Sequence, residues 1–525
     1  MLDKIKSAFL SFFLALLFAA VTAYCVLQLL SSHYRTDAAA IIQFGAAYPL
    51  AQWPLRLHLA VALVAAVLIF FAGLFFWLLK NTRWGFQPRR LDDDCAFEQL
   101  RSRSVPKGKP RVFAGKYGGA PLFVSIEDRG LVIGPPGTGK TVFLLNQVMK
   151  AANESLSVCL IDSKPELHKT LAPQLQKLGY RVLRINPAST DETADHWNPL
   201  ADVDQITDVQ ELCNSLLPIN APADGPFVEV KRDWLKAAVF HVKDTANGSL
   251  PAAYSFLSSQ SDSAKLLSIL SDSDNPTACQ IAARISAGLS GTKPDPLILP
   301  GLSGCLRSLS YLSLPGVKSA LGHSDFSASE LGGSRPTALF LQFEESKLGA
   351  LGPLMSFMTT GLLTSLINTA GKRAPVALFL DEIGNIPPVP GLAEKLNTIR
   401  SRNIPTWMYF QTAEQIERRY GNGARDVFFA STDFQMVFRL NDESTRNLVS
   451  NLIGTTEKQK LSVSHSVSAG TRSTTSSKVR ERVPVIEPHQ LGQLQPGQVV
   501  CLYRGAAALG RATPHYVDFP EFRRK

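Results

Sequence analysis

Gly134-Pro135-Pro136-Gly137-Thr138-Gly139-Lys140-Thr141 is the stretch on which the reading of this chain turns. It completes the pattern G-x-x-x-x-G-K-[ST], with the apolar run Leu131-Val132-Ile133 before it and Val142-Phe143-Leu144-Leu145 after it. A buried strand that turns through glycines into a helix aims backbone N–H groups and the positive helix end at one point. The oxygens of a triphosphate can be held there. Gly134, Pro135, Pro136, Gly137, Thr138, Gly139, Lys140 and Thr141 are therefore the candidate nucleotide-binding residues. Lys140 is expected to reach the terminal phosphates and Thr141 to hold Mg²⁺. A glycine turn before an ordinary helix is the competing reading, and it leaves the strand, loop, lysine and threonine in register by coincidence.

Outward from that loop, 525 residues allow more than one core, since single domains rarely exceed about 250–300 residues. The 45% hydrophobic content is concentrated toward the N-terminus. Ala8 to Leu30 and Leu57 to Leu79 are two runs of about 23 residues, the first free of charge and the second holding only His58. Each is long enough to cross a bilayer. A cleaved signal peptide competes for the first run, but an h-region has only about 7–15 apolar residues. Lys4 and Lys6 precede the first span, and Lys80, Arg83, Arg89 and Arg90 follow the second, against Arg35 and Arg56 between them. That bias predicts a multi-pass protein with both termini cytoplasmic. The net charge of +10 fits an anionic partner, although part of it sits beside the membrane. Seven cysteines and nine histidines show no metal-ligand spacing, and the cysteines are expected to be reduced packing residues.

Along the soluble chain, residues 84–110 are polar, Arg-rich and Pro-interrupted, which predicts a connector. Strand-like runs then alternate with helical patterns through Arg181-Val182-Leu183-Arg184-Ile185, the order of a parallel sheet covered by helices. From about 200 to 335 the pattern is helical. The α/β alternation resumes at Ala338. Four regions are expected: a transmembrane region over 1–83, a nucleotide-binding domain over 84–199 and 336–525, and an all-α domain at 200–335 inserted into it. The Ser/Thr-rich run from Lys460 to Lys478 is expected to be a mobile loop.

The strand Val376-Ala377-Leu378-Phe379-Leu380 ends on Asp381-Glu382. An acidic pair there suits hydrolysis opposite a phosphate loop: Asp381 can hold the metal shell and Glu382 can orient or deprotonate a water. Gln411 ends the next strand, where a neutral amide can sense a γ-phosphate; a polar turn residue is the plainer reading. Arg400 and Arg402 lie on the helix between these strands. Either could be a finger for a neighbouring subunit's phosphate or an ordinary solvated arginine.

Taken with Ile161-Asp162-Ser163-Lys164-Pro165-Glu166, Asn198-Pro199-Leu200, Leu380 to Pro387, Thr398-Ile399-Arg400-Ser401-Arg402 and Phe410-Gln411-Thr412, the chain resembles the TraG/VirD-type coupling proteins of type IV secretion. The resemblance spans most of the chain. It implies an α/β P-loop NTPase of RecA/FtsK-like type, with an inserted all-α domain and a two-helix transmembrane region. It also implies an ATP hydrolase using ATP and Mg²⁺, assembled as a homohexamer at the bacterial inner membrane. Its partners would be relaxase-bound, single-stranded DNA, relaxase or effector proteins, and type IV secretion channel components. Carried over, Lys140, Glu382, Gln411 and the finger Arg400 are catalytic, and Thr141 and Asp381 hold the metal. The family's Asp-Pro-Lys-Gly-Glu loop appears here as Asp162-Ser163-Lys164-Pro165-Glu166, a proline-stiffened turn. The given sequence ends at Phe522-Arg523-Arg524-Lys525 without the long acidic tail by which some members dock adaptors, so cargo recognition is expected to rest on the helical domain.

Other motors share the phosphate loop. In an AAA+ remodelling ATPase the acidic pair follows within tens of residues, whereas here it lies 241 residues beyond Lys140 (381 − 140), across helices. That spacing favours the coupling-protein and FtsK/HerA-like architectures. A docking receptor that uses nucleotide only as a switch is the reading from another class.

Overall fold

The computed structural model describes residues 90–522, with short breaks at 163–165, 190, 192, 220–221, 261, 291–292 and 469–470, and scattered residues before 90. Residues 90–456 with 483–525 form one compact unit, and 1–89 with 457–482 form another. Of the predicted spans, 8–30 is described only at residues 23, 24 and 26–30 and 57–79 only at 58, 62 and 70, so both lie mostly outside the described residues.

The larger unit is built on β1 (Arg111–Tyr117), β2 (Ala120–Ser125), β3 (Gly130–Ile133), β4 (Ser157–Asp162), β5 (Arg181–Ile185), β6 (Thr337–Gln342), β7 (Val376–Leu380), β8 (Thr406–Phe410), β9 (Phe434–Val437), β12 (Gln498–Tyr503) and β13 (Ala506–Arg511); β10 and β11 stand apart as described below. These strands form one sheet in the order β2-β1-β13-β12-β9-β3-β8-β7-β4-β6-β5. From β9 to β5 every pairing is parallel, as the βα alternation predicts. From β2 to β9 every pairing is antiparallel, so the expected parallel sheet is in fact mixed. Two of the four antiparallel pairings, β1 with β2 and β12 with β13, are hairpins closed by tight turns. Gly118-Gly119 (φ 55° and 78°) and Arg504-Gly505 (φ 48° and 81°) are two-residue links with both central φ positive, the geometry that folds a strand back beside itself.

Burial on both sheet faces explains the continuous apolar runs. Leu131, Ile133, Cys159 and Ile161 face one core, while Val132, Val158 and Leu160 face the other. At β3 the packing leaves no room for a side chain: a Cβ on Gly130 would lie 2.3 Å from the buried Trp407 ring. Gly130→Ala is therefore expected to destabilise the fold by about 1–3 kcal/mol, read as a lowered denaturation midpoint; an unchanged midpoint would contradict this packing.

Between β5 and β6 the described elements are helical, including Ile206–Leu216, Gly225–Lys243, Pro276–Ser290 and Ile298–Ser308. Their apolar faces continue one of the sheet's two cores, and the Trp234 indole N–H donates to the Ile298 carbonyl at 3.0 Å. Among the described residues, one helix is long and apolar enough to cross a membrane, Leu348–Asn368. It is a core helix, buried over 83% of its apolar window, with Gly352 against Pro387 and Gly361 against Pro199.

Two expectations fail. The 84–110 connector contains the helix Asp94–Arg101, N-capped by Asp93, which buries Ala96 and Leu100 in the core. The described residues of the run 460–478 lie within two long strands, β10 (Thr455–Ser468) and β11 (Thr471–Pro484), paired as a separate sheet. Ser462-Val463-Ser464-His465-Ser466-Val467-Ser468 alternates with a period of two, a strand pattern that high polarity conceals.

Candidate nucleotide site

The sheet order creates the site. β8 and β7 lie between β3 and β4, so residues following β3, β8, β7 and β4 emerge along one edge. Ile133 pairs with Phe410, Leu380 with Met408, and Ile161 with Leu380. Gly134, Gln411, Asp381 and Asp162 therefore stand in a row at adjacent carboxyl ends, where α/β sheets place their ligands.

The loop from Gly134 to Gly139 leads into the helix Lys140–Asn153. Gly137 and Gly139 have φ of 76° and 104°, conformations that admit glycine readily. A Cβ on Gly134 would meet Phe438 Cβ at 2.7 Å, and the Gly134 N–H donates to the Phe410 carbonyl at 3.2 Å. Thr138 Oγ1 donates to the Pro135 carbonyl at 2.7 Å and holds the turn closed. Lys140 is buried. Its Nζ donates to the Gly134 and Pro135 carbonyls and lies 3.9 Å from Glu382 Oε1. Thr141 is half-buried in the first helical turn.

Asp381 is buried immediately beyond β7. Glu382 follows with φ 50° and ψ 37°, a left-handed conformation costing about 1–3 kcal/mol in a residue with a side chain. Its Oε2 accepts from Gln411 Nε2 at 2.8 Å, and its Oε1 faces Lys140. The structure thus brings together Lys140, Glu382 and Gln411, three of the residues singled out in the sequence. Arg400 and Arg402 are exposed, and among the described residues no hydrogen bond or ion pair joins them to this cluster.

Several supporting residues escaped the sequence reading. Gln415 holds the Gln411 N–H through Oε1 at 3.0 Å and donates through Nε2 to Asn385 Oδ1 at 2.9 Å. A Cβ on Gly384 would lie 2.2 Å from Gln415 Cδ, so the glycine after the acidic pair lets this bridge pass. Arg419 Nε closes the far side on the Gly384 carbonyl at 2.8 Å. Gln147 is fully buried on the phosphate-loop helix, donates to the Phe113 carbonyl and accepts from Tyr409 OH. Burial, reinforced by the charge of Asp381, pushes the Tyr409 phenol well above its ordinary range, which keeps it a proton donor. Asp162 Oδ2 accepts from Gln342 Nε2 at 2.9 Å and from the His168 N–H at 3.3 Å, so it orients the start of the helix Glu166–Lys177. Ser163 to Pro165 lie outside the described residues.

A cleft of about 730 Å³ opens beside Gly137–Gly139, walled by Gly118, Gly119, Leu509, Pro514, Tyr516 and Val517. The C-terminal segment forms this wall because it is latched to the phosphate-loop helix. Asn146 Nδ2 donates to the Thr513 carbonyl at 2.6 Å, and Asp518 takes Lys116 at 2.6 Å and Lys150 at 3.3 Å. Burial works against the Asp518 anion, but hydrogen bonds from Lys116 and Asn146 and the Lys150 charge outweigh it and hold its carboxyl below the ordinary value. A depressed folded-state pKa contributes stability that is complete above the unfolded value and lost as pH falls through the folded one. Proteolytic cleavage after 511 is therefore expected to be pH-independent near neutrality and to rise only below pH 3.8, the ordinary carboxyl value. Asp518→Ala should show that raised cleavage already at neutral pH; protection equal to wild type would contradict the latch.

Six free cysteines are described, and burial pushes the thiols of Cys159, Cys213, Cys305 and Cys501 up to about 12, as expected of packing residues.

With this geometry in place, comparison with known proteins decides the lineage. A family model for Type IV secretory system Conjugative DNA transfer matches residues 81–523. The chain belongs to that family. Among its relatives is the probable conjugal transfer protein TraG of Sinorhizobium fredii (strain NBRC 101917 / NGR234), 25% identical over 214 residues. That match covers 40% of this chain and 33% of the relative. The conjugal transfer protein TraG of Agrobacterium fabrum is 24% identical over a stretch of the same length. The chain thus spans about a third of the length of the curated relatives it matches. In fold it is similar to the plasmid coupling protein TrwB in complex with ADP and Mg²⁺, with a TM-score of 0.65 and 18% identity over 82% of this chain and 94% of that one. The chain thus has a TrwB-like P-loop α/β fold, built on a mixed sheet.

Proposed function

We propose that the protein is an inner-membrane coupling ATPase that recruits relaxase-bound DNA, with or without protein cargo, and drives its delivery to a type IV secretion channel. The observation that carries the reading is the Glu382 carboxylate, held by Gln411 from one strand end and faced by Lys140 from the phosphate loop. In this reading the N–H groups of Gly134–Thr141 and the Lys140 ammonium bind the triphosphate of ATP. The fit rests on the open backbone at Gly137, where an added Cβ would touch nothing within 4 Å, and on a hydroxyl and a carboxylate, Thr141 and Asp381, suited to a hard cation. Mg²⁺ when bound draws charge from the phosphate oxygens. Glu382 holds the attacking water and takes its proton, and Gln411 fixes the carboxylate in the required rotamer. The cleft walled by Tyr516 and Val517 receives sugar and base. Arg400, exposed at the end of its helix, serves the site of a neighbouring copy in a homohexamer.

The same reading assigns spans 8–30 and 57–79 to the membrane, with both termini cytoplasmic, and residues 200–335 to gathering cargo. It is tested by binding of single-stranded oligonucleotides to the full-length protein in detergent. Affinity is expected to fall linearly on a log–log scale with salt, with a slope of about −0.7 per phosphate contacted. Salt-insensitive binding would point to protein cargo instead.

A further inference from the structure

The chain enters the helical segment through His196-Trp197-Asn198 and leaves it through His323-Ser324-Asp325, and the two strips lie side by side. The Asp325 N–H donates to the His196 carbonyl at 3.0 Å and the His196 N–H to Asp325 Oδ2 at 2.9 Å. The Trp197 N–H reaches the Ala320 carbonyl at 2.8 Å and the Asn198 N–H reaches Ser324 Oγ at 2.9 Å. On the outer side of this seam the His196 and His323 rings stack at 4.2 Å, inclined by 30°. Asp325 lies against both, with Oδ2 2.7 Å from His196 Nδ1 and Oδ1 3.6 Å from His323 Nε2. One ligand atom from each of the three residues falls within 4.8 Å of the others.

We propose that His196, His323 and Asp325 form a binding site for a divalent transition metal of the zinc type at the neck of the helical segment. Two imidazole nitrogens and one carboxylate oxygen are a donor set such ions take, at about 2.0–2.2 Å from the metal. Tetrahedral placement at that radius puts donors roughly 3.3–3.6 Å apart. Asp325 offers a different oxygen to each ring, Oδ2 at 2.7 Å from His196 Nδ1 and Oδ1 at 3.6 Å from His323 Nε2, and with one ligand atom of each residue already within 4.8 Å of the others, side-chain rotation brings one oxygen and both nitrogens to that spacing. Ser319 Oγ, 3.1 Å from His196 Nε2, occupies the other ring nitrogen, as the outer partner of a ligating histidine does. The partial exposure of all three residues leaves the fourth position to water. A bound ion fastens the entering strip to the leaving one and restrains the helical segment at its base.

The site is independent of the nucleotide, and its test uses the untagged full-length protein in detergent, stripped of metal and titrated with Zn²⁺ alone. Wild type is expected to bind one Zn²⁺ more tightly than any remaining sites. Its Co²⁺ form should show the visible absorption of a tetrahedral centre, and Zn²⁺ should raise its Tm. His323→Gln, which leaves the His196–Asp325 contacts in place, should weaken that one equivalent at least tenfold, abolish the Co²⁺ absorption and remove the Tm shift. His196→Gln should do the same, with ATP binding by both variants showing that they are folded. Zn²⁺ stoichiometry and affinity unchanged in both variants would overturn the proposal, as would a wild-type protein that binds no Zn²⁺.

Discussion

Glu382→Gln is expected to lower ATP turnover by about 10²–10⁴-fold while ATP still binds, the range that removal of a positioned general base produces. The substitution keeps the volume and the amide's capacity to accept from Gln411 Nε2, so the 2.8 Å contact can persist. What it removes is the ability to take a proton, together with the negative charge opposite Lys140. Loss of that charge leaves the Lys140 ammonium freer to engage phosphate, so nucleotide affinity should hold or rise. Single-turnover measurement of phosphate release, alongside equilibrium binding of a non-hydrolysable ATP analogue, separates the two effects. Turnover equal to wild type would remove Glu382 from the chemistry. Its left-handed backbone would then need another explanation.

Lys140→Ala acts on the other half of the site. The ammonium is buried against the loop carbonyls and Glu382, so it approaches a phosphate already largely stripped of water. Two charge-assisted hydrogen bonds at about 1.5–3 kcal/mol each correspond to a loss of at least about 100-fold in Kd. Alanine also leaves Glu382 without the cation 3.9 Å from it, which places a buried carboxylate beside incoming phosphate and weakens binding further. Equilibrium binding of a fluorescent ATP analogue reads the effect directly, and an affinity within threefold of wild type would contradict the assignment of this loop.

The parts of the site legible in the sequence are those fixed by local chain geometry. The phosphate loop is defined by its glycines, and Asp381, Glu382 and Gln411 each follow an apolar run that can only be a buried strand. Once those strands are parallel neighbours, the residues after them meet. The parts that were not legible depend on contacts between distant segments. Gly384 reads as a turn glycine until Gln415 is seen lying against it. Gln415 and Arg419 read as ordinary polar residues of the short helix Ala413–Tyr420. The final hairpin was hidden for another reason: Ala506-Ala507-Ala508 favours a helix by propensity, and only pairing with β12 makes it the strand that walls the cleft. Arg400 shows the reverse case, since its expected role needs a second copy of the chain and, among the described residues, no hydrogen bond or ion pair joins it to the site of its own subunit.

In the proposed function, coupling of ATP hydrolysis to the handling of DNA falls to Lys140, Glu382 and Gln411. It is tested most directly by ATP turnover of the full-length protein with and without single-stranded DNA. Measurable turnover that rises when DNA is added, and vanishes in Glu382→Gln under both conditions, is the expected result. Nucleotide that binds but is not hydrolysed in either condition would contradict the motor and leave a nucleotide-switched docking receptor in its place.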